Sequence, residues 1–251
     1  MNIVVCAKVV PDYEVPASDF ELVNGRAHKR FTRMIGLYDE NAVEVGVQLK
    51  EKYNGNLIII SYGREEDIPI LRKAIAMGGD KLIIIIGNSD DPYIISENLK
   101  MGIERIGDVD FVLAGRQSAD MDRGIVPGIL AGMLNYTFVP QVTQIELING
   151  LWKAIQVTEK GIREIKVSKK AVFSITDDPG NIPRIPPVRR ILAAKKMPVE
   201  KLNEIQVPPM QIEEISVDIP KIEIECEFLS VEDPKEAARA LLNRLKEERY
   251  L

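Results

Sequence analysis

Histidine is all but missing from this chain: His28 is the single one in 251 residues. It lies in a basic polar segment, so neither a His-based catalytic triad nor a His-rich metal centre is expected. Cysteine is scarce as well. Cys6 and Cys226 fit no metal or redox spacing and suit the reducing cytoplasm. Long apolar runs are absent; Leu82-Ile-Ile-Ile-Ile86 is far too short to span a bilayer, so membrane insertion is not expected. The opening Met1-Asn-Ile-Val-Val-Cys6 has neither a basic n-region nor a cleavage site, and reads as a first strand. There is no excess of positive charge: 33 basic against 38 acidic residues give a net −5, and the two signs are interspersed. Nucleic acid is not expected as a partner. Neither a GxGxxG nor a GxxxxGK[ST] sequence occurs, which excludes a standard dinucleotide fingerprint and a Walker loop.

What the chain does have is alternation. Asn2 to Val9 is an almost uninterrupted apolar run, as expected of a strand buried on both faces. It ends in Lys8-Val-Val-Pro-Asp12, where backbone and Lys8 could face a ligand. After a polar stretch with a hairpin turn expected at Asn24-Gly25, a helix is predicted from about Tyr38, with Ala42, Val45, Leu49 and Tyr53 as its buried stripe. Strand and helix then recur. Leu57–Ser61 precedes a helix from about Asp67 that stops at Gly78-Gly79. Leu82–Ile86 precedes a helix capped by Asp91-Pro92, with Ile95, Leu99, Ile103 and Ile106 on one face. This predicts an α/β fold with a parallel, doubly wound, Rossmann-like sheet. From Val142 to Ile175 four short runs read as an antiparallel meander. Asp177 to Arg190, rich in proline, reads as an irregular surface loop, and a short helix is expected over Ile191–Lys196. Met197 to Glu227 reads as an extended arm, and Asp233 to Arg249 as an amphipathic helix. The expected organisation is a nucleotide-binding α/β domain over 1–190, carrying meander and loop, and an arm with its terminal helix over 191–251.

The stretch Phe111-Val-Leu-Ala-Gly-Arg-Gln-Ser-Ala-Asp-Met-Asp-Arg-Gly-Ile-Val-Pro127 organises the rest. A short apolar strand breaks at Gly115, polar groups collect through Arg123, and a helix follows with Val126, Leu130, Met133 and Leu134 on one face. Pro127 sits in its first turn. A polar loop at a helix N-terminus favours an anion, and at about ten residues the loop is long for a plain connector. If the first four strands lie in the order 3-2-1-4, the loops at Lys8–Asp12 and Gly115–Gly124 are neighbours at the switch point where such sheets bind ligands. Both then belong to one nucleotide site.

With these segments laid out, the chain resembles the β subunit of electron-transfer flavoproteins. The resemblance rests on Cys6-Ala-Lys-Val-Val-Pro-Asp12, Gly36-Leu-Tyr-Asp-Glu-Asn-Ala-Val-Glu44, Leu71 to Gly78, Gly115-Arg-Gln-Ser-Ala-Asp-Met-Asp122, and Pro183-Arg-Ile with Ile191-Leu-Ala-Ala-Lys-Lys196. Five motifs in the family's order make it specific. The resemblance implies a heterodimer with an α subunit and an FAD shared with that subunit. It also implies FAD or AMP in a site on this chain, with NADH docking here in the electron-bifurcating branch. Carried over by position, the nucleotide contacts are Cys6, Ala7, Lys8, Tyr38, Asp39, Tyr62, Gly115, Arg116, Gln117, Ser118, Asp120, Asp122, Arg123, Gly124, Ile125 and Val126. The proline-rich loop is implied to dock a flavoprotein dehydrogenase such as an acyl-CoA dehydrogenase, through Arg184, Val188 and Ile191. Three departures stand out: Gly36-Leu37 replaces Asn-Pro, Arg123 replaces a small polar residue, and Ile125 replaces glutamine.

No catalytic acid, base or nucleophile is identified. Cys6 reads as a small buried strand residue, and Lys8 reads equally as a solvated lysine or a phosphate neighbour. Asp120 and Asp122 are expected to cap a helix or accept hydroxyls rather than hold a metal. Val188 is either a docking anchor or a plain exposed valine. The favoured function is the electron-carrier subunit. The alternatives are an NADH-dependent bifurcating subunit and a stand-alone nucleotide-binding regulator of the universal-stress-protein kind, which would have no use for the meander, arm and terminal helix.

Overall fold

The computed structural model describes residues 1–12, 14, 22–23, 26–27, 32–168, 170–208, 226–229 and 233–251. They fall in two units, Met1–Glu21 with Ala27–Glu214, and Leu22–Arg26 with Ile215–Leu251.

The first unit is built on strands β1 (Asn2–Cys6) and β2 (Val9–Pro11), then β5 (Arg33–Ile35), helix α1 (Leu37–Tyr53), β6 (Asn56–Gly63), α2 (Ile68–Met77), β7 (Lys81–Ile86), α3 (Pro92–Ile106), β8 (Phe111–Gly115) and α4 (Val126–Leu134). It continues through β9 (Thr137–Ile148), β10 (Leu151–Thr158), β11 (Gly161–Val167), β12 (Ala171–Ile175), α5 (Val188–Lys196) and β13 (Val199–Asn203). Leu22–Val23 (β3) and Arg26–Ala27 (β4) form a small two-stranded sheet; the expected turn Asn24-Gly25 between them lies outside the described residues.

Among the described residues, nine strands share one sheet in the order β11-β10-β9-β12-β8-β1-β6-β7-β13. The first four predicted strands lie in the order β7-β6-β1-β8, all parallel, which meets the condition for the two loops to be neighbours. Alternate residues along β1 feed two cores. Ile3 and Val5 join Leu57, Leu113 and Phe173 beneath α1 and α2, while Val4 and Cys6 join Ile60, Val112 and Leu130 beneath α3 and α4. This two-sided burial is why the central strands read as apolar runs rather than alternating ones. Phe111 sits edge-on to Trp152 at 4.8 Å and to Phe173 at 5.4 Å, which ties β10 to the centre of the sheet. None of the described helices is long and apolar enough to cross a membrane.

Four expectations are corrected. The first strand stops at Cys6 and resumes at Val9, because the Lys8 N–H donates to the Asp39 carboxylate at 2.9 Å instead of to a neighbouring strand. The antiparallel meander holds for β9, β10 and β11, but Ala171–Ile175 leaves it and inserts between β9 and β8, parallel to both. All five of its residues are buried, so a central position suits it better than an edge. The segment from Asp177 is less irregular than expected: Pro179–Asn181 makes a 3-10 turn capped by Asp178, and α5 begins at Val188 rather than Ile191. Within the expected arm, Val199–Asn203 is an edge strand parallel to β7, its Glu200 paired with Lys81 at 2.6 Å and Arg105 at 2.9 Å.

In the second unit, Pro234–Glu247 forms helix α6, where Asp233 accepts a hydrogen bond from the Lys235 N–H. Arg244 pairs with Glu227 at 2.9 Å and with Glu248 at 3.2 Å. The apolar side is present as expected, yet no residue of α6 is buried.

Candidate functional site

The carboxyl ends of β1 and β8 meet over the first turn of α1. Asp39, in that turn, is buried and joins the two strand ends: its Oδ2 accepts from the Lys8 N–H and its Oδ1 from the Gly115 N–H, each at 2.9 Å. Burial pushes this carboxyl up to about 7 against the pull of those two N–H donors. Close approach here requires glycine at 115, where a Cβ would lie 2.4 Å from Asp39 Oδ1 and 2.9 Å from the Tyr38 carbonyl carbon. Cys6 lies buried at the end of β1, as expected, and burial followed by the nearby Asp39 raises its thiol above the usual range. The Ala7 N–H continues the sheet, donating to the Ile60 carbonyl at 2.9 Å.

The loop from Gly115 folds back on itself. Asp122 adopts φ 54 and Gly124 φ 63, and the Asp122 N–H donates to the Ser118 carbonyl at 2.9 Å. At Gly124 a Cβ would approach the Arg116 carbonyl oxygen to 2.9 Å, so the returning strand of the loop also needs glycine. Gln117 bonds the Asp122 carboxylate, and Lys8 Nζ pairs with both oxygens of Asp120, at 2.6 and 2.8 Å. The ion pair joins the two loops that the strand order was expected to make neighbours. The capping role expected for Asp120 and Asp122 is corrected: α4 begins after Ile125 with no side-chain cap, and the two carboxylates face Lys8 and Gln117 instead.

Among the described residues, two cations in this loop are left uncompensated. Arg116 lies over the Tyr38 ring, its guanidinium carbon 4.6 Å from the centroid, with one nitrogen 3.4 Å from Thr176 Oγ1. Its Nε is buried without a hydrogen-bond partner. Arg123 is exposed, beside the exposed Ile125 and the first N–H groups of α4 at Val126, which the helix leaves unpaired. A buried donor without an acceptor is costly, and two cations and a helix N-terminus at one loop suit a polyanion.

Tyr62 sits at the same edge of the sheet, at the end of β6, but its hydroxyl is engaged elsewhere. It donates to Glu204 Oε2 at 2.7 Å and accepts from the Ser89 N–H at 3.0 Å. Burial and then the Glu204 carboxylate push it up to about 12.

A second constellation, not anticipated from sequence, lies further along α1. Arg184 donates through Nε and one terminal nitrogen to Glu44 at 2.8 and 2.9 Å, and through both terminal nitrogens to Glu51 at 2.7 and 3.2 Å. Burial alone would raise the Glu44 carboxyl; the bonds from Arg184, with one from Gln48, outweigh it and hold the group below the usual range. Asn181, fully buried, donates to the Thr143 and Thr176 carbonyls and accepts from Asn41 Nδ2. Residues 182–192 carry five exposed apolar side chains, Ile182, Ile185, Val188, Ile191 and Leu192, with Ile185 at 93% and Val188 at 71%. Of the three expected docking residues, Val188 and Ile191 are thus at the surface, while Arg184 is held within the chain. The signal for it was in the two motifs themselves, but Glu44 and Arg184 are 140 residues apart.

Residues 32–207 match the family model described as "Electron transfer flavoprotein domain". The chain is 29% identical to the electron transfer flavoprotein subunit beta of Syntrophomonas wolfei, over 87% of this chain and 90% of that one. It is 30% identical to that of Bacillus subtilis, over 86% of each, and 27% identical to that of Clostridium acetobutylicum over the whole of both. The parallel sheet with its switch point between β1 and β8, the meander and the C-terminal helix agree with this match, and the chain belongs to the electron transfer flavoprotein family, on the side of its β subunits.

Proposed function

We propose that this chain is the β subunit of a heterodimeric electron carrier that binds an adenine nucleotide, FAD or AMP, at the ends of β1 and β8. In this reading it shares an FAD with its α subunit. The bound flavin supplies the electron-carrying chemistry; this chain holds the nucleotide, helps to enclose the flavin and presents a docking segment to a flavoprotein dehydrogenase. The observation that carries the reading is the uncompensated pair Arg116 and Arg123 on a compact loop at the switch point. The residues fit a nucleotide. Arg116 Nε lacks an acceptor, and Arg123 stands beside the open N-terminus of α4. Lys8, by contrast, is neutralised by Asp120, which leaves Arg123 as the main countercharge to phosphate. Asp39 has both oxygens occupied by backbone N–H groups and serves the site by holding its two loops together.

Partnership with an α subunit is supported by α6. A helix with Leu241 and Leu242 exposed and no buried residue leaves an apolar side to be covered. Both cysteines are free, in keeping with work in a reducing cytoplasm. Co-expression with an α subunit of the family should yield a 1:1 complex with bound FAD, and deleting residues 230–251 should weaken assembly and FAD retention. A stable monomer that ignores the α subunit, with or without the deletion, would overturn the proposal.

A further inference from the structure

Arg184 lies where the docking segment meets the scaffold, and its side-chain bonds all go to α1. The guanidinium fork grips Glu44 and Glu51, two turns apart on α1, and the Arg184 N–H reaches the same Glu44 oxygen at 3.2 Å. Glu44 is buried at 4% exposure, so the pair is shielded on one side. The segment is held at two further points. Asn181 is pinned beneath it by Asn41, and at its far end Arg72 of α2 bonds the carbonyls of Ala194 and Met197, the latter at 2.9 Å. Between these pegs Pro183, Pro186 and Pro187 remove backbone freedom, and Ile185 and Val188 stand out into solvent. Arg189, Arg190, Lys195 and Lys196 flank the ridge with positive charge. The partner it fits is therefore an apolar recess rimmed by acidic groups.

We propose that Arg184 is a positioning residue: through Glu44 and Glu51 it holds the 182–192 segment in its docking shape, so that Ile185 and Val188 reach the redox partner already ordered. The proposal rests on the reading of this segment as the docking element for a flavoprotein dehydrogenase. An ordered ridge loses little conformational freedom on contact, and the affinity gained that way disappears when the clamp is opened. The same helix reaches the nucleotide site through Asp39, at its other end. Both functional loops are thus referred to one rigid element.

The test uses the complete α–β complex, reduced by a purified acyl-CoA dehydrogenase with its acyl-CoA. Arg184→Gln and Glu44→Gln should raise the KM for the dehydrogenase by about tenfold, the scale of lost pre-organisation, and leave kcat within about twofold. Arg184→Lys should recover only part of the loss, because an ammonium cannot fork between two carboxylates. Raising the salt concentration should weaken docking by the wild-type complex, as expected of a basic rim. Trypsin supplies a second readout that needs no dehydrogenase: cleavage after Arg189 and Arg190 should be slow in the wild type and fast in Arg184→Gln. If Val188→Ala and Ile185→Ala raise KM while Arg184→Gln lowers only the melting temperature, the docking reading stands and the positioning role is wrong. If no variant shifts KM, the docking reading falls and the proposal falls with it. Unchanged trypsin cleavage in Arg184→Gln would overturn the clamp on its own.

Discussion

The loops that follow β8 and β12 leave neighbouring parallel strands at the same edge of the sheet, and both carry arginine, yet they use it in opposite ways. After β12, Arg184 has every guanidinium nitrogen bonded to Glu44 or Glu51, and Asn181 is fully buried. After β8, Arg116 keeps a buried Nε without an acceptor, and Arg123 stands in solvent. A cation satisfied within the chain is part of the scaffold; one left unsatisfied at a strand switch point invites an anion from outside. The same distinction separates the apolar groups of these loops. The 182–192 segment lifts three isoleucines, a valine and a leucine out of a fixed frame, whereas the loop after β8 turns back on itself at Gly124 and exposes Ile125. One loop holds apolar side chains out in solvent; the other, in the function proposed above, encloses a nucleotide.

Four substitutions test the two loops against each other. The largest effect is expected at Gly115→Ala. The added Cβ meets the Asp39 side chain and backbone at once, and overpacking against backbone costs about 3 kcal/mol; chemical denaturation of the variant measures it. Next comes Arg184→Met, which leaves the buried Glu44 carboxylate without its partner. Removing one member of a buried pair costs roughly 3–5 kcal/mol, and partial exposure of Arg184 brings the expected loss to about 2–3 kcal/mol. A loss below about 0.5 kcal/mol would class the clamp with ordinary surface pairs.

Asp39→Asn gives a smaller, pH-dependent effect. The amide can accept from only one of the two facing N–H groups, a loss of roughly 1–2 kcal/mol. In the folded chain the carboxyl titrates near 7, and in the unfolded chain near its ordinary value of about 3.9. Between those values the folded state holds a proton that the unfolded state has released, so wild-type stability falls as pH rises through the window. Asp39→Asn removes that slope. Its cost relative to wild type should therefore shrink between about pH 4 and pH 7 in paired denaturant melts, and a constant difference would contradict the assignment. The smallest effect on stability belongs to Arg123→Ala, within about 0.5 kcal/mol of wild type, because the side chain is exposed.

Much of this contrast was legible in the sequence, and the parts that were not share a cause. Two-face burial writes itself as apolar runs, so β1, β6, β7 and β8 could be found from such runs and from the punctuation at Gly63, Gly78-Gly79 and Pro92, although their order in the sheet was only assumed. The loop after β8 announced itself by length and polarity. The place of β12 did not, since a run such as Ala171–Ile175 shows burial but not which strand it joins. β13 was hidden because an edge strand of Val199, Glu200, Lys201 and Leu202 resembles an arm. The break at Lys8 and the grip of Glu44 on Arg184 are tertiary hydrogen bonds between residues distant in sequence, and no local pattern encodes them.

If the loop after β8 holds a nucleotide through its unsatisfied cations, the nucleotide content of the purified α–β complex after dialysis and heat release will show it. Wild type should release an adenine nucleotide from the β site in addition to the FAD shared with the α subunit. Arg123→Ala should lose the former while keeping the latter, because removing a charge-assisted contact costs roughly 1.5–3 kcal/mol, about ten- to a hundredfold in affinity. A full nucleotide complement in Arg123→Ala, or no nucleotide beyond the shared FAD in wild type, would contradict it.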